Sequence, residues 1–182
     1  KATQQTAYLM ITAIERFVVL NDASTNYSQP IKISRVLNVH LALSWRTHIM
    51  ATITGTSNND NLLGTDNDDL INGLEGNDTL EGGLALDTLA GGLGDDIYII
   101  ANNKITIDTI IELENQGTDT VKSYVNYTLG SHLENLTLLG NAAITGTGNE
   151  LKNNMIGNDA DNTLSGGGGS DTSSGGAGND AI

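Results

Sequence analysis

Aspartate returns at one place in a nine-residue unit, and that spacing is the feature of this chain best suited to chemistry. From Gly55 the chain reads GTSNNDNLL, GTDNDDLIN, GLEGNDTLE, GGLALDTLA and GGLGDDIYI. Position six is Asp in every unit (Asp60, Asp69, Asp78, Asp87 and Asp96), and position one is Gly in every unit (Gly55, Gly64, Gly73, Gly82 and Gly91). Position eight is apolar throughout, as Leu62, Ile71, Leu80, Leu89 and Tyr98. Carboxylates delivered at fixed intervals beside unhindered backbone carbonyls are the donors of a hard cation. Calcium takes roughly six to eight oxygens at moderate distance and accepts them from a flexible loop.

Something must position those carboxylates. Gly and Asn at positions one, two and four, Gly76 and Gly94 among them, are expected to adopt positive φ cheaply and to curl a six-residue turn. Position eight then begins a minimal strand. If two units make one coil, units eighteen residues apart stack, which lines up Asp60, Asp78 and Asp96 on one edge and Asp69 and Asp87 on the other. Stacked carboxylates repel unless cations stand between them. Metal binding is then folding energy, and the metal-free chain is expected to be largely disordered.

A second array reads GNELKNNMI, GNDADNTLS, GGGGSDTSS and GGAGNDAI, from Gly148, Gly157, Gly166 and Gly175. Its sixth position is Asn153, Asn162, Asp171 and Asp180. Calcium is expected at Asp171 and Asp180, with Gly166, Gly169, Gly175 and Gly178 shaping the turns, and stacking without metal at Asn153 and Asn162. Ser173 forfeits the apolar contact of its unit. Gly91 and Gly175 lie 84 residues apart, three more than nine units, so the arrays are out of phase and the middle is read as its own unit. There Ile105 to Ile111, Val121 to Leu129 and Leu136 to Leu139 read as short strands, joined at Asn102-Asn103, Asn115 to Gly117 and Gly130. Asp66, Glu75 and Glu112 fall outside the columns and are expected to be solvated surface charges.

Composition narrows the classes further. The chain has 182 residues with 22 Gly but one Phe and one Trp, so a core built on large aromatic anchors is excluded. A net charge of −14 disfavours nucleic acid and anionic lipid and makes cations the natural partners. No cysteine is present, which removes disulfides and thiolate metal sites. The longest apolar stretches, such as Phe17 to Leu20 and Ile97 to Ile100, fall far short of the ~20 residues of a membrane-spanning helix. No apolar run ends in a small-residue cleavage site, so no cleavable secretory signal is expected.

Residues 1–49 contain no Gly and hold Phe17, Pro30 and Trp45. Residues 1–50 carry a net +3 against −17 for residues 51–182. The expected division is a leader over 1–49, a first array over 50–99, a strand-rich spacer over 100–147 and a second array over 148–182. The leader is either the tail of an upstream domain or a stretch foreign to the native protein, since Met50-Ala51-Thr52-Ile53 would serve as a start. Within it Tyr8 to Leu20 has helical apolar spacing and Ile31 to Leu43 alternates like a strand.

The units resemble the G-G-x-G-x-D-x-U-x nonapeptide of the repeat-in-toxin (RTX, hemolysin-type) calcium-binding family. GGLGDDIYI satisfies every defined position, and GGGGSDTSS and GGAGNDAI match the Gly and Asp columns. The first two units depart from it, with Thr56 and Thr65 in place of the second Gly and Asn58 and Asn67 in place of the fourth. Residues Gln116 to Val121 and Leu133 to Leu138 also look like the spacer that joins such arrays. The resemblance implies an all-β fold, a right-handed parallel β-roll, with bound Ca2+. It also implies a bacterial protein exported unfolded by type I secretion machinery through a C-terminal signal and folded by calcium outside the cell. Ile182 stands at position eight of its unit, so the signal and any cap are expected to lie beyond it.

Catalytic motifs are not expected. His40, His48 and His132 form no H-E-x-x-H, and Ser165, Ser170, Ser173 and Ser174 form no G-x-S-x-G. GGGGS lacks the Lys of a phosphate loop. The reading is a non-catalytic calcium-binding module. The readings from other classes are the appendage of a secreted hydrolase (protease, lipase or sugar-modifying enzyme) whose catalytic domain lies elsewhere, and a structural surface or adhesion protein.

Overall fold

The computed structural model describes residues 50–101 and 107–182. The readings of Tyr8 to Leu20, Ile31 to Leu43 and the join at Asn102-Asn103 fall outside these residues, as does the start of Ile105 to Ile111.

Fourteen short strands and no helix make up the described residues. In the first array they are β1 (Thr52–Thr54), β2 (Asn61–Leu63), β3 (Leu70–Glu75), β4 (Thr79–Glu81), β5 (Thr88–Leu93) and β6 (Ile97–Ile100). The spacer adds β7 (Thr109–Ile110), β8 (Thr120–Ser123), β9 (Tyr127–Thr128), β10 (Asn135–Leu138) and β11 (Thr145–Thr147). The second array supplies β12 (Asn154–Ile156), β13 (Thr163–Ser165) and β14 (Thr172–Ser174). Each strand sits where β-branched and aliphatic residues follow a polar turn, and the middle residue of the three points inward. Period-two alternation buries one side chain in most three-residue strands and two apolar ones in β6 (Tyr98 and Ile100) and β10 (Leu136 and Leu138).

Every pairing is parallel and joins a strand to the next but one, which is the signature of two units per coil. One sheet runs β2-β4-β6-β8-β10-β12-β14, a second runs β1-β3-β5-β7, and a third runs β9-β11-β13. The described residues form a parallel β-solenoid of the β-roll type, as the resemblance to the nonapeptide family implied. Between its sheets lies one apolar core that includes Ile71, Leu80, Leu89 and Tyr98 from the first array, Val121, Leu136 and Leu138 from the spacer, and Met155 and Leu164 from the second array.

The spacer does not interrupt the seven-stranded sheet. Ile97 pairs with Thr120, Thr120 with Asn135 and Asn135 with Asn154, so the successive coils hold 23, 15 and 19 residues instead of 18. Together these coils are three residues longer than three regular ones, which is the phase difference between the arrays. On the opposite side the continuity fails, since no ladder joins β7 to β9. The run Val121 to Leu129 also divides, because Ser123 Oγ donates to the Val125 carbonyl (2.8 Å) and accepts the Val125 N–H (3.2 Å). That corner ends β8 and sends β9 to the other face.

Candidate metal centre

The sixth-position carboxylates stand on the two edges that eighteen-residue stacking requires. On one edge Asp78 Oδ1 accepts the backbone N–H of Asp60 at 2.8 Å, and Asp96 Oδ1 accepts that of Asp78 at 2.7 Å. On the other, Asp69 Oδ1 accepts from Ala51 (2.9 Å), Asp87 Oδ1 from Asp69 (2.8 Å) and Asp108 Oδ1 from Asp87 (3.0 Å). A peptide N–H therefore lies between successive carboxylates, which eases the repulsion expected of a bare stack. Asp69, Asp78, Asp87 and Asp96 are buried, while Asp60 is half-buried at the end of its column.

The second carboxylate oxygen separates one kind of unit from another. In the two units that carry Thr at position two, a local donor satisfies it: Thr56 N–H (2.6 Å) and Thr56 Oγ1 (2.9 Å) bond Asp60 Oδ2, and Thr65 N–H bonds Asp69 Oδ2 at 2.5 Å. In GLEGND and GGLGDD the turn opens differently, with Leu74 and Gly76 at φ 87° and 109° and Gly92 and Gly94 at φ 103° and 133°. Asp78 Oδ2 and Asp96 Oδ2 are then buried without a partner. An unpaired buried carboxylate oxygen is costly, and a cation removes the cost. The donor set fits calcium, being all oxygen and anionic. Burial, and next the charge of Asp60, raise the Asp78 carboxyl above its ordinary range.

Positions two and four take positive φ in the units from Gly73, Gly82, Gly91, Gly166 and Gly175, but Asn58, Asn67, Asn149 and Asn158 do not, and neither do the glycines of position one (Gly55, Gly64, Gly73, Gly82, Gly91, Gly166 and Gly175). Their requirement is space. A Cβ on Gly55 would lie 2.5 Å from the Gly73 carbonyl oxygen of the next coil, so the distance between coils admits no side chain there.

In the second array Asn replaces the carboxylate without leaving a polar atom stranded. Asn153 and Asn162 are buried, and each Oδ1 accepts a turn N–H, from Asn149 and Asn158, at 2.8 Å. Asn153 Nδ2 donates to the carbonyls of Leu133 (3.1 Å) and Glu134 (3.2 Å), and Asn162 Nδ2 to that of Ile144 (3.3 Å). The amide thus supplies the donor that a carboxylate lacks. Asp171 Oδ1 and Asp180 Oδ1 accept the N–H groups of Asn153 (3.0 Å) and Asn162 (2.8 Å). Asp171 is exposed and Asp180 half-buried, and Gly169 and Gly178 hold their turns at φ 93° and 108°.

Three acids of the spacer extend the columns and were missed from sequence. Asp119 Oδ1 accepts the Asp96 N–H (2.8 Å), and Glu134 Oε2 accepts the Asp119 N–H (2.8 Å), while Asp108 follows Asp87 on the other edge. A signal was present: Asp78-Thr79-Leu80 and Asp87-Thr88-Leu89 recur as Asp108-Thr109-Ile110 and Asp119-Thr120-Val121, hidden by coils of unequal length. Asp66 and Glu75 are exposed, as expected. Glu112 is not a surface charge. It is 7% exposed, because the residues after β7 turn it into the coil, where the Tyr98 hydroxyl donates to its Oε1.

Asp96, Glu112 and Asp119 each bring a carboxylate oxygen within 4.8 Å of the other two. Burial pushes the Asp96 and Asp119 carboxyls up to about 6 and Glu112 up to about 7, and the neighbouring carboxylates add to all three. Tyr98 is held above the usual phenol range by burial and by Glu112, and its oxygen accepts the Gly91 N–H at 2.7 Å.

Compared with families of known proteins, residues 54–89, 63–98 and 147–182 match the RTX calcium-binding nonapeptide repeat (4 copies). No curated protein and no solved structure matches the chain.

Proposed function

We propose that this chain, whose residues 54–98 and 147–182 match the RTX calcium-binding nonapeptide repeat, is a calcium-driven folding module of a bacterial protein, exported unfolded by type I secretion machinery and folded outside the cell. Asp60, Asp69, Asp78, Asp87, Asp96, Asp171 and Asp180 are the proposed ligands, with turn carbonyls completing the shell. The observation that carries the reading is the buried, unpartnered Oδ2 of Asp78 and Asp96, in two units of the first array that carry Gly at position four. A coil that buries an anionic oxygen without a donor folds poorly until a cation arrives. Calcium is scarce inside cells and abundant outside, so the same chemistry gives the direction. Affinities of about 10⁻⁴–10⁻³ M, those of extracellular calcium modules, suit that role.

The module itself is non-catalytic, and any hydrolase or adhesive activity would belong to sequence elsewhere. No described helix is long and apolar enough to cross a membrane.

Far-UV circular dichroism of the full chain during calcium titration tests the proposal, with magnesium as control. A cooperative gain of β signal with calcium alone is expected, and Asp78→Ala with Asp96→Ala should shift the midpoint at least several-fold upward. A spectrum indifferent to calcium would overturn the reading.

A further inference from the structure

We propose that Asp96, Glu112 and Asp119 form a cation site of their own inside the solenoid, at the junction of the first array and the spacer, taking one divalent ion of the calcium class. The site is not a repeat turn. Glu112 and Asp119 lie outside the matched segments, and only Asp96 belongs to both, so the inference goes beyond the reading of the nonapeptides.

Two observations point to an ion. The three carboxylates converge, with one oxygen of each inside 4.8 Å. Independently, two of those side chains end in an oxygen with no partner: Asp96 Oδ2, on a residue 1% exposed, and Glu112 Oε2, on a residue 7% exposed. The remaining oxygens are committed. Asp96 Oδ1 accepts from Asp78, Asp119 Oδ1 accepts from Asp96, and Glu112 Oε1 accepts from Tyr98. Those bonds fix the three carboxylates beside one another. Three buried negative charges in one coil require positive charge nearby, and no Lys or Arg forms an ion pair with them among the described residues. The donors are all oxygen, which selects calcium or a lanthanide over zinc or copper. The 23-residue coil gains a purpose, since its extra length carries Glu112 inward.

The test is the number of calcium ions bound per full-length chain at saturation, measured by equilibrium dialysis and elemental analysis for wild type, Glu112→Gln and Asp119→Asn. Each variant keeps the hydrogen-bonded oxygen and loses the anionic one. One ion fewer than wild type, with the β signal in calcium retained, is the expected result. An unchanged count in both variants would overturn the site and leave protons as the balancing charge. Should neither variant fold, terbium luminescence excited through tyrosine reads the site without touching a carboxylate. Tyr98→Phe is then expected to lower the emission several-fold at equal ion count, and equal emission would overturn it. A chain whose only ion is lost in Glu112→Gln would support this site and sink the repeat-turn reading, whereas several ions, none lost, would do the reverse.

Discussion

A carboxylate oxygen that finds no donor inside a coil lowers its energy by taking a proton or a cation. Burial holds Asp96 and Asp119 at about 6 and Glu112 at about 7, above their ordinary values of 3.8 and 4.5. A folded-state pKa above the unfolded one contributes stability that is complete below the unfolded value and lost as pH rises through the folded value. In chelator, therefore, the β signal in circular dichroism should be weakest above pH ~7 and grow as pH falls toward ~4. With calcium the trend should reverse, because the metal competes with those protons; a chelated signal flat in pH would contradict it. The Asn units make the complementary case. Asn153→Asp removes the donor to the Leu133 and Glu134 carbonyls and is expected to cost about 1–3 kcal/mol at calcium just sufficient to fold the chain. Excess calcium should restore part of that loss, and urea titration at the two concentrations measures both.

Strands of two to six residues have little stability alone, and each depends on the inward side chains it stacks on its neighbours. Leu136 in β10 sits in register between Val121 of β8 and Met155 of β12. Leu136→Ala opens the core in the middle of the spacer and should cost about 2–5 kcal/mol in calcium. Because the sheet is continuous there, a single cooperative transition at lower urea is expected; a split into two transitions would show the arrays to be uncoupled. The turns obey a different constraint. At position one the limit is the distance between coils, at positions two and four the sign of φ, which explains why Thr56 and Thr65 are accommodated only with a turn that caps its own carboxylate.

Stacked coils transmit order along one axis, since each contacts only its neighbours. The seven-stranded sheet passes from β2 to β14 without a break, so metal bound in the first array should protect amides in the second. Hydrogen exchange in calcium tests this with the Asp78→Ala, Asp96→Ala chain. Protection should fall in β12 and β14 as well as in β4 and β6, while a loss confined to β4 and β6 would mean that the spacer isolates the arrays.

The nine-residue period laid out the Gly, Asp and apolar columns and, with two units to a coil, the two edges, because residues eighteen apart then stack; the resemblance to the RTX nonapeptide implied the parallel roll. The Asp column and its Asn substitutions were equally plain in the sequence. Only the tertiary structure decided how the spacer joins them. Coils of 23, 15 and 19 residues break the period while keeping the register, so Asp108, Asp119 and Glu134 take column positions that no fixed spacing marks. Glu112 is the clearest case: its burial follows from the path of one long coil around Tyr98, and a side chain's surroundings along such a path are set by packing, not by its neighbours in sequence.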